Sequence, residues 1–350
     1  MSSNNYSSAS RLLHQNYLNN YLVSKTSFDL EKLIYLKKAQ ENILNEVVFV
    51  TGLARAGTTA LFNALFNTGS FASLTYANMP FLLMPNLAKL FYNTPPSTLV
   101  ERAHKDGLMI NNKSPEAFDE FFWKVFLNNK YIEADKLVPH FVDDAIIEEY
   151  KKYIQLVAYG CQCAGYLSKN NNNILRVNSL LKAFPEAKFI VLYRDPLTHA
   201  RSLFKQHINF SALQQREPFA VNYFNYLGHH EFGLNHKPFV FDASQDVQEN
   251  ADDINYWLKN WYNYYTFLLA NYNERLRLVA FEDLCEKPAL IADYLNSQVK
   301  LKTPVVITEK HVPKPVSAIE YDAGIYNKCM GIYTILNSKR NYGIDSRKLK

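Results

Sequence analysis

Residues 47–62 read VVFVTGLARAGTTALF, and the rest of the chain can be interpreted from this stretch. Its first four residues are apolar and three of them are β-branched, which predicts a short buried strand. Gly52 and Gly57 mark a turn, and from Thr58 to Phe66 apolar residues recur at helical spacing. The first N–H groups of a helix have no acceptor within the helix. A strand, a glycine turn and a helix in this order therefore predict an anion-binding site.

The spacing of the two glycines fits the phosphate loop of nucleoside triphosphatases, but the residue after the second glycine does not. Thr58 stands where a triphosphatase needs a lysine to reach the β and γ phosphates, and the hydroxyl residue Thr59 follows it. The cation of this loop is Arg55, which precedes the second glycine. Such a loop is poorly suited to magnesium–ATP and well suited to a phosphosulfate or another anion bound without metal.

Composition indicates a folded protein of enzyme size. The chain has 350 residues, of which 48% are hydrophobic and 14% aromatic, and this excludes a disordered chain. The net charge of +5 suits a small anionic ligand and is too weak and too dispersed to indicate nucleic acid as a partner. The four cysteines have no metal-site spacing and are expected to be reduced. No signal segment and no membrane-spanning run is found, which predicts a cytoplasmic protein.

The order of the predicted elements indicates an α/β protein. Residues 1–45 are expected to form a helical extension, and residues 46–350 to form one domain. Lys188 to Tyr193 is a near-continuous apolar run typical of a central parallel strand, and it leads into Arg194 and a helix that carries Ser202. Strands that alternate with helices predict three layers, with a central parallel sheet flanked by helices.

Several polar clusters could supply a base. His104 lies in a polar loop before Ser114-Pro115-Glu116, where a serine cap and a proline predict the start of a helix. A run of four asparagines after Lys169 is expected to be a polar loop. The cluster from Gly228 to Gly233, with two histidines and a glutamate, lacks the spacing of a helical zinc site and is interpreted as a hydrogen-bonded turn.

Three stretches of the chain resemble the sulfotransferases that use 3′-phosphoadenosine 5′-phosphosulfate (PAPS) as donor, most closely a broad bacterial-type group. These stretches are the glycine turn from Gly52 to Thr59, the strand and turn from Phe189 to Pro196 with Ser202 eight residues after Arg194, and Phe281-Glu282-Asp283-Leu284 with Pro288. The resemblance implies the P-loop-like fold of that family. It implies 5′-phosphosulfate binding by Arg55, Ala56, Gly57, Thr58 and Thr59, and 3′-phosphate binding by Arg194 and Ser202.

The resemblance also implies a role for Lys169, which is similar to a lysine that lies near the transferring sulfuryl group in several branches. The chain departs from the family in other respects. Tyr76 stands where tyrosyl-protein sulfotransferases carry a catalytic glutamate, and the histidine motif of the cytosolic small-molecule enzymes is missing. Their C-terminal Arg-Lys-Gly loop is missing as well.

Sulfuryl transfer needs in-line geometry and positive charge around the moving oxygens, and it requires no metal. We therefore expect Arg55 and Lys169 to stabilise charge on the leaving nucleotide. His104 is the first choice for the base that takes a proton from the acceptor hydroxyl or amine, and His230 or Glu231 is the second. The apolar segment 73–87 is expected to shape the acceptor pocket. A small molecule, a carbohydrate, a lipid or a peptide could be the acceptor.

Two other functions fit part of the pattern. A P-loop nucleotide or small-molecule kinase would need a lysine before Thr59 and a carboxylate for magnesium, and Asp195 is a poor substitute for the second. A catalytically inactive nucleotide-binding domain would keep the donor residues and lack a base.

Overall fold

The structure is a computed structural model that describes residues 8–92, 97–102, 104, 107–242, 250–307 and 319–342. The described strands are β1 Glu46–Gly52, β2 Phe71–Ala72, β3 Val100–Glu101, β4 Met109–Ile110, β5 Gly165–Lys169, β6 Lys188–Tyr193 and β7 Leu276–Ala280. The described α-helices are α1 Ser8–Leu18, α2 Tyr21–Glu41, α3 Thr58–Phe66, α4 Glu120–Phe126, α5 Asp144–Cys161, α6 Val177–Ala183, α7 Pro196–Arg216, α8 Pro218–Leu227, α9 Ile254–Ala270, α10 Phe281–Glu286, α11 Pro288–Gln298 and α12 Ala323–Ser338.

Five strands form one parallel sheet in the order β2-β5-β1-β6-β7. Val50 of β1 is in register with Lys169 of β5, and Gly52 of β1 is in register with Leu192 of β6. The carboxyl ends of β1, β5 and β6 therefore meet at one edge of the sheet. Strands β3 and β4 form a separate antiparallel pair.

The two faces of the sheet bury alternate residues of the same strands. Phe49, Phe189 and Val191 pack into a large core with α2, α5, α7 and α9. Val48, Val50, Ile190 and Leu192 point to the opposite face and pack with α3, α10 and α11. Because side chains alternate along a strand, continuous apolar runs are needed when both faces are covered. The prediction of a three-layer α/β fold with a central parallel sheet is confirmed.

Two helices occupy most of the predicted N-terminal extension. Helix α2 packs along α5. The buried carboxylate of Glu31 accepts hydrogen bonds from the backbone N–H groups of Asn86 and Leu87 at 3.0 and 2.8 Å. These bonds join α2 to the segment after β2. The division of the chain into an extension and a domain at residue 45 stays a prediction.

One expectation for the segment between β2 and α4 is wrong. The helix expected to start at Pro115 begins at Glu120, and Pro115 instead forms a bridge with Thr75. The expectation that the segment 73–87 shapes the acceptor pocket stays a prediction; Phe81, Leu82 and Leu83 of this segment lie in the large core. No α-helix in the described ranges is both long enough and apolar enough to cross a bilayer.

Candidate active site

A cleft of about 1060 Å³ opens at the carboxyl ends of β1, β5 and β6. Ligands of open α/β sheets bind at this edge. Nearly all of the residues selected from the sequence line the cleft, namely Arg55, Gly57, Thr58, Thr59, His104, Lys169, Arg194 and Ser202. Ala56 is fully buried beneath them. The structure thus brings together residues that are up to 147 positions apart in the chain.

The turn from β1 to α3 has an unusual backbone. Arg55 has a φ of 73° and Gly57 a φ of 90°, both in the left-handed region. A Cβ on Gly57 would lie 2.5 Å from Cδ2 of Phe281, so this position requires glycine for space as well as for conformation. Helix α3 begins at Thr58, directly after this turn, and its N-terminus faces the cleft. The strained arginine and the helix N-terminus make this turn suited to an anion.

A buried histidine supports the turn from behind. His199 of α7 donates its Nε2–H to the carbonyl of Ala54 at 2.7 Å. Burial lowers the pKa of His199 to about 3, with Arg194 contributing in the same direction. The imidazole is therefore neutral and acts as a hydrogen-bond donor that fixes the turn to α7.

The second motif contacts the first directly. Arg55 donates from Nε to the hydroxyl of Ser202 at 3.3 Å, which joins the glycine turn to α7. Arg194 follows β6 and donates from Nε to Thr198 at 3.3 Å, while the carboxylate of Asp195 caps α7. Burial lowers the pKa of Arg194, and the nearby charge of Arg55 lowers it further. Two arginines held this close favour a bound anion between them.

The third motif packs between the other two. The guanidinium of Arg194 lies 4.4 Å above the ring of Phe281, and the edge of the same ring abuts Gly57. Glu282 accepts a hydrogen bond from the backbone N–H of Asp195 at 2.9 Å, which fixes the turn after β6. All three motifs therefore meet at one side of the cleft.

A lysine and a carboxylate that both line the cleft face each other at the carboxyl end of β5. Lys169, the last residue of β5, donates to Glu116 at 3.0 Å. The same carboxylate accepts from the hydroxyl of Tyr76 at 3.3 Å and lies 3.9 Å from Arg102. Burial alone would raise the pKa of Glu116, but Lys169 and Arg102 hold the pKa well below its usual value. Tyr76 stands where tyrosyl-protein sulfotransferases carry a glutamate, and Glu116 places a carboxylate beside it.

The candidate bases occupy different surroundings. The ring of His104 lies 5.0 Å from that of Phe210 at the cleft. His230 is buried behind the cleft, where Nδ1 faces the carbonyl of Asn235 at 2.9 Å, and burial lowers its pKa to about 4. Its neighbour His229 lines the cleft instead, together with Glu231. Of the second-choice bases, only Glu231 therefore reaches the cleft.

Sequence reasoning missed Glu116, Arg102 and His229. The sequence predicts Glu116 in the first turn of a helix, whereas it lies four residues before α4 and lines the cleft. His229 belongs to the cluster from Gly228 to Gly233, which the sequence predicts to be a hydrogen-bonded turn. Arg102 follows β3 and donates to Thr59 at 3.4 Å, although nothing in the local pattern indicates this contact. Within the described residues, no group of three His, Cys, Asp or Glu side chains could hold a metal ion.

Comparisons with known proteins find one matching family profile and several similar structures. A profile of the sulfotransferase family matches residues 47–303. Sulfotransferase STF9 from Mycobacterium avium is 13% identical with a TM-score of 0.48, over 91% of this chain and 75% of that chain. Sulfotransferase STF1 from Mycobacterium tuberculosis is 14% identical with a TM-score of 0.45, over 80% of this chain and 74% of that chain. A sulfotransferase from Alicyclobacillus acidocaldarius is 13% identical with a TM-score of 0.36, over 85% of this chain and 94% of that chain.

No protein of curated function matches the chain. The profile match covers most of the chain, including all three motifs that suggested the resemblance. The predicted resemblance to sulfotransferases is therefore confirmed at the level of the family, and the chain belongs to the sulfotransferase family.

Proposed function

We propose that this protein transfers a sulfuryl group from PAPS to a hydroxyl or amine acceptor. The observation that carries the proposal is the 3.3 Å contact between Arg55 and Ser202, which joins the first two motifs across one cleft. A donor with an anionic group at each end of its ribose needs two such anion sites close together. The convergence of Gly57, Arg194 and Phe281 supports the same assignment.

In this proposal the glycine turn holds the 5′-phosphosulfate. The backbone from Ala56 to Thr59 at the start of α3, the hydroxyls of Thr58 and Thr59, and the guanidinium of Arg55 would bind it. Arg194 and Ser202 would hold the 3′-phosphate. No lysine follows Gly57, so a kinase reaction with magnesium–ATP is disfavoured.

The chemistry would depend on positioning and positive charge. Sulfuryl transfer moves negative charge onto the leaving 5′-phosphate, and Arg55 and Lys169 line the cleft where that charge would develop. Lys169 would exchange its contact with Glu116 for one with the donor. These cations supply the stabilisation that a metal ion supplies to phosphoryl transfer, so the proposal needs no metal.

The base and the acceptor complete the proposal. His104, the base predicted from the sequence, lines the cleft, and so do His229 and Glu231. The acceptor would be a small molecule, a carbohydrate, a lipid or a peptide, and not a nucleic acid. We extend the proposal to a cytoplasmic location.

Ligand-induced stabilisation tests the donor assignment. Adenosine 3′,5′-bisphosphate at about one hundred times its dissociation constant should raise the free energy of unfolding by about 2.7 kcal/mol, measured by thermal unfolding. Adenosine 5′-monophosphate, which lacks the 3′-phosphate, should stabilise far less. Stabilisation by magnesium–ATP alone would indicate a kinase. Stabilisation by none of these nucleotides would rule out the proposal.

Two arginines provide a matched pair of variants for this test. Arg194→Ala should weaken binding of adenosine 3′,5′-bisphosphate by about 10- to 100-fold, because a charge-assisted hydrogen bond contributes about 1.5–3 kcal/mol. Arg275 precedes β7 at the amino end of the sheet and donates to the carbonyl of Leu181 at 2.7 Å. Arg275→Ala should therefore leave nucleotide affinity unchanged. Equal affinities in the two variants would remove Arg194 from the donor site.

A further inference from the structure

We infer that His229, oriented by Glu231, takes the proton from the hydroxyl of an acceptor with an apolar body. This inference rests on the proposed function, because it assigns the base and the acceptor class of the same reaction. It depends on two features of the cleft: an ordered imidazole–carboxylate pair, and an aromatic wall that ends at this pair.

The imidazole–carboxylate pair follows α8. Nδ1 of His229 lies 3.4 Å from Oε1 of Glu231, and the same oxygen accepts a hydrogen bond from Asn171 at 3.1 Å. Both side chains of the pair are 15% exposed and both line the cleft. A carboxylate that faces one ring nitrogen of a histidine fixes its tautomer and orientation, and Nε2 is then the nitrogen that accepts a proton.

The charges around His229 favour this role over the other carboxylate of the cleft. Burial would lower the pKa of His229, but Glu231 and Glu116 raise it above the usual value, against a smaller opposing effect of Lys169. Glu116 itself is held ionised by Lys169 and Arg102, so its affinity for a proton is low. Of these groups, the imidazole has the proton affinity that a base at neutral pH requires.

The aromatic wall runs from one histidine of the cleft to the other. The ring of Phe210 lies 5.0 Å from His104 and 5.2 Å from Phe224, and Phe224 lies 6.4 Å from His229. Phe232 packs against Phe210 at 5.9 Å. An acceptor that covers these rings would be apolar and preferably aromatic. Its hydroxyl would lie at the polar end, beside His229.

The reaction balances without any further reactant. The acceptor oxygen forms a bond to the sulfur of PAPS while the bond from that sulfur to the 5′-phosphate oxygen breaks. The acceptor proton passes to Nε2 of His229, and adenosine 3′,5′-bisphosphate leaves with the electron pair. Glu231 stabilises the imidazolium, which afterwards releases its proton to solvent.

The experiment measures turnover of PAPS with 2-naphthol, an aromatic hydroxyl compound, and with glucosamine, a polar one. We compare His229→Gln, Glu231→Gln and His104→Gln with the unmodified protein. Loss of a general base costs about 10²- to 10⁴-fold. His229→Gln should therefore reduce turnover of 2-naphthol by at least 100-fold and leave binding of adenosine 3′,5′-bisphosphate unchanged. His104→Gln should reduce turnover less than tenfold, and glucosamine should be a poor acceptor.

The pH profile separates the positioning role of Glu231 from a merely structural one. A base acts in its neutral form, so turnover should fall as the pH drops through the raised pKa of His229. Removal of the carboxylate in Glu231→Gln lowers that pKa, so the acidic limb should move to lower pH. Histidine NMR titration of both proteins should give the same shift without any acceptor present.

Each contrary result would refute either the proposed function or the inference about His229. If the unmodified protein neither binds adenosine 3′,5′-bisphosphate nor consumes PAPS, the proposed function fails. If it binds the nucleotide, the inference about His229 is overturned by any of three results. These are near-normal turnover in His229→Gln, an unchanged pKa of His229 in Glu231→Gln, and transfer to glucosamine but not to 2-naphthol. A larger loss in His104→Gln than in His229→Gln would assign the base to His104.

Discussion

Glu116 and Glu120 are four residues apart in sequence, and each carboxylate is paired with a cation. Glu116 pairs with Lys169, which ends β5, and Glu120 pairs with Arg176, which follows β5. Glu120 holds Arg176 through two hydrogen bonds of 2.9 Å, and their side chains are 1% and 0% exposed. Glu116 holds Lys169 through one hydrogen bond of 3.0 Å, and their side chains are 13% and 8% exposed at the cleft. The first pair is enclosed, and the second pair faces the place where a ligand would bind.

This contrast separates a structural ion pair from one that can take part in chemistry. The Arg176–Glu120 pair is bidentate, and Asn170 donates a further hydrogen bond to Glu120 at 2.6 Å. The pair therefore fixes the backbone that follows β5. The Lys169–Glu116 pair has a single bond between its members, so an anionic ligand can replace Glu116 as the partner of Lys169 without disturbing the core.

The enclosed pair should give the most severe variant. Arg176→Met leaves Glu120 as a buried charge without its cation, which costs about 3–5 kcal/mol of folding free energy. Urea unfolding measures this cost. The double variant Arg176→Met/Glu120→Gln removes both charges and should recover much of the loss. A single variant that loses less than about 1 kcal/mol would contradict the view that this pair is a closed structural unit.

Substitution of Lys169 in the Lys169–Glu116 pair should affect turnover strongly and stability less. Lys169→Met should cost less free energy of unfolding than Arg176→Met, since Glu116 keeps Tyr76 and Arg102 and lines the cleft. Turnover of PAPS should fall by about 10²- to 10³-fold, as for the loss of one group that stabilises charge in the transition state. A strong loss of stability with normal turnover of the folded fraction would place Lys169 in the structural class with Arg176.

The local sequence is sufficient to predict the sheet and the position, at one cleft, of the two motifs proposed to bind the donor. The strand of residues 47–50 and the run from Lys188 to Tyr193 are apolar because both faces of the sheet are covered, and this pattern is visible without a structure. The glycine turn and the Arg194–Ser202 spacing are likewise local in sequence. Their contact depends only on the rule that parallel strands end at one edge.

The contacts of Glu116 and His229 could not be predicted in the same way. Glu116 and His229 lie outside the helices and strands, so no periodic pattern sets the direction of their side chains, whereas Lys169 ends β5. The helix expected at Pro115 would have turned Glu116 differently, whereas the bridge between Thr75 and Pro115 fixes the actual path. Such a bridge links residues that are forty positions apart and leaves no periodic signal in the sequence.

The smallest effect should come from removal of the hydroxyl of Ser202. This variant tests whether the contact between Arg55 and Ser202 takes part in ligand binding, as proposed for the Lys169–Glu116 pair. Ser202→Ala removes one hydrogen bond from Arg55 and, in the proposed complex, one to the 3′-phosphate. The loss of nucleotide affinity should be about 10-fold, the low end of the range for a hydrogen bond to a charged group (about 1.5 kcal/mol), because Ser202 itself carries no charge. Isothermal titration with adenosine 3′,5′-bisphosphate measures it.

The double variant Arg55→Ala/Ser202→Ala makes this measurement decisive. If the two side chains act on the donor as a connected pair, the affinity losses of the single variants should not add, and the double variant should lose less than their sum. Additive losses would mean that the 3.3 Å contact between them has no bearing on the ligand. The arginine of the glycine turn and the serine of α7 would then be independent sites, and the donor side, unlike the Arg176–Glu120 pair, would not be a coupled unit.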